Sequence, residues 1–214
     1  MKRTVAYLVF CVLVGAILAA GPSAALAQGG TPASAPPPAA KPAAAAPPSA
    51  GFRADFLADW DDMAKKAVSL AEAIPAEKYT WRPEGARSVS EIFLHIANGN
   101  FGLMQALGIQ PPAGVTPGTL EKSTSDKAKV VELLRQSFEH VRQALLNTPD
   151  ADLDKPVKLF GHASTVHNLF YIMGTHQHEH FGLTIAYARV NGVVPPWTAE
   201  RQAQPARQPE KPKQ

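Results

Sequence analysis

Met173-Gly174-Thr175-His176-Gln177-His178-Glu179-His180-Phe181-Gly182 holds three of the chain's seven histidines inside what reads as a long helix. Residues four apart on a helix sit nearly above one another, so His176 and His180 share a face and can aim two imidazoles at one spot. That spacing is how a helix offers two nitrogen ligands to a metal. His178 lies about 200° round from His176 and faces elsewhere. A third ligand must come from another helix, and His95 is the best candidate.

The same helix sets the fold class. It begins near Ser164 or Thr165 as N-cap, runs to about Asn191 and stops at Gly192. Leu169, Ile172, Met173, Leu183 and Tyr187 are its core candidates. His167, eleven residues before His178, falls on the face opposite the His176/His180 pair, toward solvent or a second subunit. Upstream, Asp150 to His162 reads as irregular and charged. A third helix covers about Ser125 to Asn147, with Val130, Leu134, Phe138, Val141 and Leu145 as its apolar stripe. His140 lies between charged neighbours there and reads as exposed, with no ligand role.

The second helix starts at Ser88, and Glu91 three residues later makes a capping box. Val89, Ile92, Phe93, Ile96, Leu103, Met104 and Leu107 form its stripe, and Gly108 ends it. His95 lies beside Ile92 and Ile96. A lone histidine there is ordinarily a satisfied core residue; this one has two possible companions. Between the second and third helices runs a long Pro/Gly connection from Gly108 to Glu121, which adjacent antiparallel helices would not need. The first helix spans Phe52 to Ile74, with Phe52, Phe56, Trp60, Met63, Ala67, Leu70 and Ile74 at helical spacing. Asp59, Asp61 and Asp62 on it read as a solvated face. Four amphipathic helices without a strand pattern make an all-α, four-helix bundle with a long crossover between helices two and three.

The ends differ from this pattern. Lys2 and Arg3, an apolar run from Thr4 to Ala20, and Ala25-Leu26-Ala27 read as a secretory signal peptide over 1–27, cleaved after Ala27. The expected product is exported, periplasmic or secreted, with no membrane attachment after cleavage. Residues 28–50, rich in Pro and Ala with only Lys41 charged, read as a disordered linker. The bundle occupies 51–198, and 199–214 reads as a disordered polar tail. Cys11, the only cysteine, leaves with the signal, so a metal site must be built from histidine and carboxylate. Without Lys2 and Arg3, 19 of the 21 basic residues remain against 18 acidic ones, which gives no electrostatic case for nucleic acid.

Three imidazoles leave at least one coordination position open, the pattern of a catalytic rather than a closed structural site. They suit Zn, Ni, Fe or Cu without choosing among them. Water at the open position would have its pKa lowered toward neutrality and can act as nucleophile or base. A ligating histidine usually donates its other N–H to a carboxylate or carbonyl. Glu91, four residues before His95, is the candidate for that role, although its place in the capping box competes with it. Asn98 can line the open position. The chain has no H-E-x-x-H helix, no G-x-S-x-G elbow, no P-loop and no dinucleotide fingerprint.

Ser88-Val89-Ser90-Glu91-Ile92-Phe93-Leu94-His95-Ile96-Ala97, preceded by Arg82-Pro83, together with His176-x-x-x-His180-Phe181-Gly182, Tyr187-Ala188-Arg189-Val190-Asn191-Gly192 and Pro195-Pro196, resembles the DinB/YfiT-like family over roughly Phe52 to Trp197. The resemblance implies a four-helix bundle, often a homodimer, with a divalent metal on the histidines matching His95, His176 and His180. It also implies either a metal-dependent hydrolase or a transferase using a low-molecular-weight thiol, acting on a small molecule. Relatives without known activity imply the alternative, a non-catalytic metal-binding or stress-related module. The chain departs from the pattern at Leu183, where the family often has Gln.

Overall fold

The computed structural model describes residues 47–204. The expected signal peptide, most of the expected linker, and the tail beyond 204 lie outside the described residues.

Four long helices carry the fold: α1 Gly51–Ala73, α2 Val89–Met104, α3 Lys127–Leu146 and α4 Val166–Val190. Each buries most of the stripe that its periodicity predicts, with one correction: Leu183, a core candidate on α4, is exposed. Trp60, Met63, Ala67 and Leu70 of α1 meet Leu134, Phe138 and Val141 of α3 and Leu169, Phe170 and Met173 of α4 in one core. α2 is buried on more than its expected stripe: Leu94, Ala97 and Phe101 are fully enclosed as well. It has α3 on one side, α4 on another, and the crossover on a third.

The pairings give the helix directions. Arg53, at the start of α1, reaches the end of α3, while Lys127, at the start of α3, donates to the Glu72 carbonyl near the end of α1, so these two run antiparallel. Asn100 bonds Ser137, and Phe101 packs on His140 one turn along, so α2 and α3 run parallel. Parallel neighbours need a return path as long as the helix, which is why the crossover is long. It runs back along α2. Pro117 lies beside Gly102, the Gly118 N–H donates to Asn98, and the turn Leu120–Lys122 reaches the level of Arg87 and His95. α4 runs antiparallel to α2, with His180 near His95 and Gln177 near Asn100.

Helix ends follow the expected chemistry. The Ser88 hydroxyl accepts from the Glu91 N–H at 3.2 Å, and the Glu91 carboxylate accepts from the Ser88 N–H at 2.8 Å, completing the capping box. Thr165 caps α4 through the Asn168 N–H, and Gly192 beyond it takes a left-handed φ of 76°. Arg53 was not anticipated. It is a buried cation on α1 whose guanidinium donates to the Leu145 and Leu146 carbonyls at 3.1 Å, at the C-terminus of α3 where a positive charge is favourable.

Three expectations are corrected. The stretch read as irregular contains a β-hairpin, β1 Pro156–Leu159 with β2 His162–Thr165, in the register Val157↔Ser164. Its turn places Phe160 and Gly161 at φ 51° and 85°. A two-residue turn with both φ positive matches strand twist, but Phe at the first position hides it from sequence, because Asn or Gly is the usual signal. Residues 199–203, assigned to the tail, belong to α5 Pro196–Ala203, which Pro196 opens at a position needing no N–H and which Trp197 anchors against Phe181. His140 is half-buried rather than exposed: its ring packs on Phe101 at 5.3 Å, and its Nε2 is enclosed without a partner among the described residues.

Candidate metal centre

α2 and α4 meet at a glycine. Gly99 of α2 faces His176 of α4, and an ideal Cβ at Gly99 would lie 2.6 Å from the His176 Cε1 and 3.1 Å from its Nδ1. No side chain larger than hydrogen leaves room for that ring. Glycine in a helix interior costs about 1 kcal/mol relative to alanine, and here it gives the imidazole its place.

In that space three rings meet. The His95 Nε2 lies 3.1 Å from the His180 Nε2 and 3.2 Å from the His176 Nε2. His95, His176 and His180 form a group whose ligand atoms all lie within 4.8 Å of one another and which could hold a metal ion. The i, i+4 pair on α4 and the single histidine of α2 are thus brought together as the spacing suggests. Two ligands on one tetrahedral zinc at about 2.0–2.1 Å are separated by roughly 3.3 Å, close to the separations found here.

The partners of the rings decide which nitrogen of each faces the others. The Glu121 Oε2 lies 2.9 Å from the His95 Nδ1. A carboxylate only accepts, so Nδ1 carries the proton of this contact and Nε2 is the nitrogen directed at the other two rings. Burial, and then the charges of His180, His95 and Arg87, push the His176 pKa down to about 4. Burial also lowers that of His180, with His95 next. Neutral rings with converging lone pairs repel one another unless protons or a cation lie between them. Three imidazole ligands suit zinc, nickel, iron or copper, and not the hard oxygen-seeking ions.

The carboxylate behind His95 is Glu121 and not Glu91, which is a correction to the sequence reading. The Glu91 carboxylate is taken by the Ser88 N–H and by Arg82 at 3.2 Å. Glu121 comes from the crossover, 26 residues after His95. Its other oxygen accepts from the Arg87 Nε at 2.6 Å. Burial works to raise the Glu121 pKa, but the hydrogen bonds and charges of Arg87 and His95 outweigh it and hold the carboxyl below its ordinary value. Asn98 bonds the crossover backbone through Gly118 at 2.6 Å.

A second missed group stands behind His176. Gln177 Nε2 donates to the Asn100 Oδ1 at 2.6 Å, the Asn100 amide donates to the Ser137 hydroxyl at 3.0 Å, and Ser137 donates to the Leu134 carbonyl. All three side chains are fully buried. This chain of bonds pins α4 to α2 and α3 one residue from a candidate ligand. Gly99 was legible as an isolated glycine inside a helical pattern. Glu121 had no sequence signal, because its contact depends on the path of the crossover.

His167 and His178 stand apart from the centre. His178 pairs with Asp59 at 3.0 Å, and His167 meets Phe52 edge-on at 4.1 Å, both exposed along the border of α1 and α4. Asp61 pairs with Arg142 and Asp62 with Lys66, in keeping with a solvated acidic face.

Comparison with known proteins agrees with this architecture. No curated protein matches the chain. A solved structure of a DinB-like protein from Bacillus cereus ATCC 10987 is similar in fold, with a TM-score of 0.58 at 16% identity, over 66% of this chain and 93% of that one. The family model described as DinB superfamily matches residues 59–184, more than half of the sequence and all three converging histidines. The chain belongs to the DinB superfamily.

Proposed function

We propose that the protein binds one divalent transition metal through the Nε2 atoms of His95, His176 and His180, and uses it in hydrolysis or group transfer on a small molecule. The observation that carries this reading is the convergence of the three Nε2 atoms, those of His180 and His176 lying 3.1 and 3.2 Å from that of His95, with the opposite nitrogen of His95 held by Glu121. A metal held there supplies a Lewis acid with a position left free by its three protein ligands. The chain's own residues do the rest. Glu121 keeps the His95 proton on Nδ1, Arg87 keeps Glu121 ionised and aimed, and Gly99 admits the His176 ring.

The site of action proposed is outside the cytoplasm, after cleavage following Ala27. Lys2, Arg3, the apolar run and the Ala25-Leu26-Ala27 pattern support this.

Cobalt(II) loading tests the open position. The expected outcome is stoichiometric uptake and a visible spectrum that shifts when thiocyanate is added. Uptake with a spectrum indifferent to thiocyanate would favour the non-catalytic metal-binding module, and no uptake would remove the metal reading altogether.

A further inference from the structure

Beside the centre lies a cleft of about 410 Å³, bounded by the connection before α2, the first turn of α2, the crossover turn and the second half of α4. It adjoins the histidines through Glu121. Glu121 on its wall is the residue bonded to His95, Ile92 lies one turn before His95, and Leu183 lies one turn after His180.

Its charges do not balance. Arg82, Arg87 and Lys122 line it together with Glu91 and Glu121. Each carboxylate already has its cation: Arg82 with Glu91 at 3.2 Å, and Arg87 with Glu121 at 2.6 Å. Lys122 takes part in none of the ion pairs among the described residues. One positive charge is therefore left over, on a flexible stem at the rim. Part of the lining is apolar. Leu183 is 44% exposed although large and hydrophobic. Tyr187 beside it is held in place by Trp81, edge-on at 5.4 Å.

We propose that this cleft seats a small organic carboxylate, with its charge on Lys122 and its apolar body against Leu183 and Tyr187. The inference deepens the metal-centre reading and rests on it for what happens to the bound molecule, though not for the binding itself. A single unpaired ammonium suits a monoanion, and the apolar wall suits an aryl or alkyl body. Leu183 thereby gains a role: an exposed hydrophobic side chain lining the cleft becomes a contact for the ligand.

The test uses zinc-loaded protein, calorimetric titration with 3-phenylpropionate, and its amide as the uncharged control. Zinc content is measured on the same samples. The acid should bind about tenfold or more tightly than the amide, since charge-assisted contacts outweigh neutral ones. Lys122→Ala should weaken the acid about fivefold, near the upper end for a partly exposed ion pair, and leave the amide and the zinc content unchanged. Lys122→Arg should restore acid binding. Equal binding of acid and amide, or no binding of either, overturns the proposal. So does full acid binding in Lys122→Ala, because a carboxylate sitting on the zinc alone would behave that way. A protein that binds the acid through Lys122 yet holds no zinc keeps the cleft and refutes the metal centre, whereas a zinc-loaded protein indifferent to the acid refutes the cleft alone.

Discussion

The bundle contains two histidine–carboxylate pairs of nearly equal length and very different surroundings. His95 and Glu121 are 2.9 Å apart, with side chains 21% and 25% exposed. His178 and Asp59 are 3.0 Å apart, with side chains 58% and 57% exposed. The outer pair bridges α1 and α4 in water, where such contacts contribute little. The inner pair has a second nitrogen to direct, and two more imidazoles wait at the end of it. A short His–carboxylate distance therefore says little by itself; what lies on the far side of the ring decides its role.

The largest contrast should come from removing the rings. Four-ligand zinc sites bind with about 10–16 kcal/mol, so one ligand carries roughly 2.5–4 kcal/mol. His95→Ala should lose that much metal affinity, whereas His178→Ala should lose none, as read by competitive metal titration. Equal retention in both variants would erase the distinction between the pairs. The next effect concerns the carboxylates. Glu121→Gln should weaken metal binding about 10–100-fold, the usual consequence of disturbing the partner of a ligating histidine. Asp59→Asn should leave metal binding alone and shift stability by less than about 0.5 kcal/mol.

A third variant separates the centre from the fold. Gly99→Ala places a methyl where the His176 ring now lies, so metal affinity should fall by about tenfold through misplacement of the ring. Helix propensity works the other way by about 1 kcal/mol, so thermal unfolding of the metal-free protein should not report a matching loss. A parallel loss of stability and affinity would mean that the glycine serves packing alone. The smallest effect tests the carboxylate that sequence spacing favoured. Glu91→Gln should cost about 1 kcal/mol of stability at pH 7 through the weakened capping box, with metal affinity unchanged. The backbone hydrogen bond from Ser88, with Arg82 next to it, holds the Glu91 carboxyl below its ordinary 4.5. A depressed carboxylate stabilises the fold above that ordinary value, and the benefit disappears as pH falls through the lower folded value. The stability gap between wild type and Glu91→Gln, followed by chemical denaturation, should therefore close as pH falls from 4.5 through the lower folded value.

Local chemistry was legible in the chain, and long-range paths were not. Ser88 with Glu91 and Thr165 with Gly192 marked the ends of α2 and α4, because capping involves residues within one turn of each other. His176 and His180 were legible for the same reason. His95 could be nominated because it stood beside a core stripe on a second helix. The partner of His95 could not, since only the course of the crossover back along α2 brings Glu121 to it. Arg53 was hidden in the same way: its acceptors lie about ninety residues away at the end of α3. The hairpin escaped because Phe160 holds a turn position where a smaller residue would have signalled it.

X-ray absorption on zinc-loaded protein tests the convergence of the three rings most directly. The predicted spectrum shows three imidazole nitrogens at about 2.0–2.1 Å and at least one further light atom from outside the chain. A zinc environment with fewer than three imidazoles, or one unchanged in a His180→Ala variant, would contradict it.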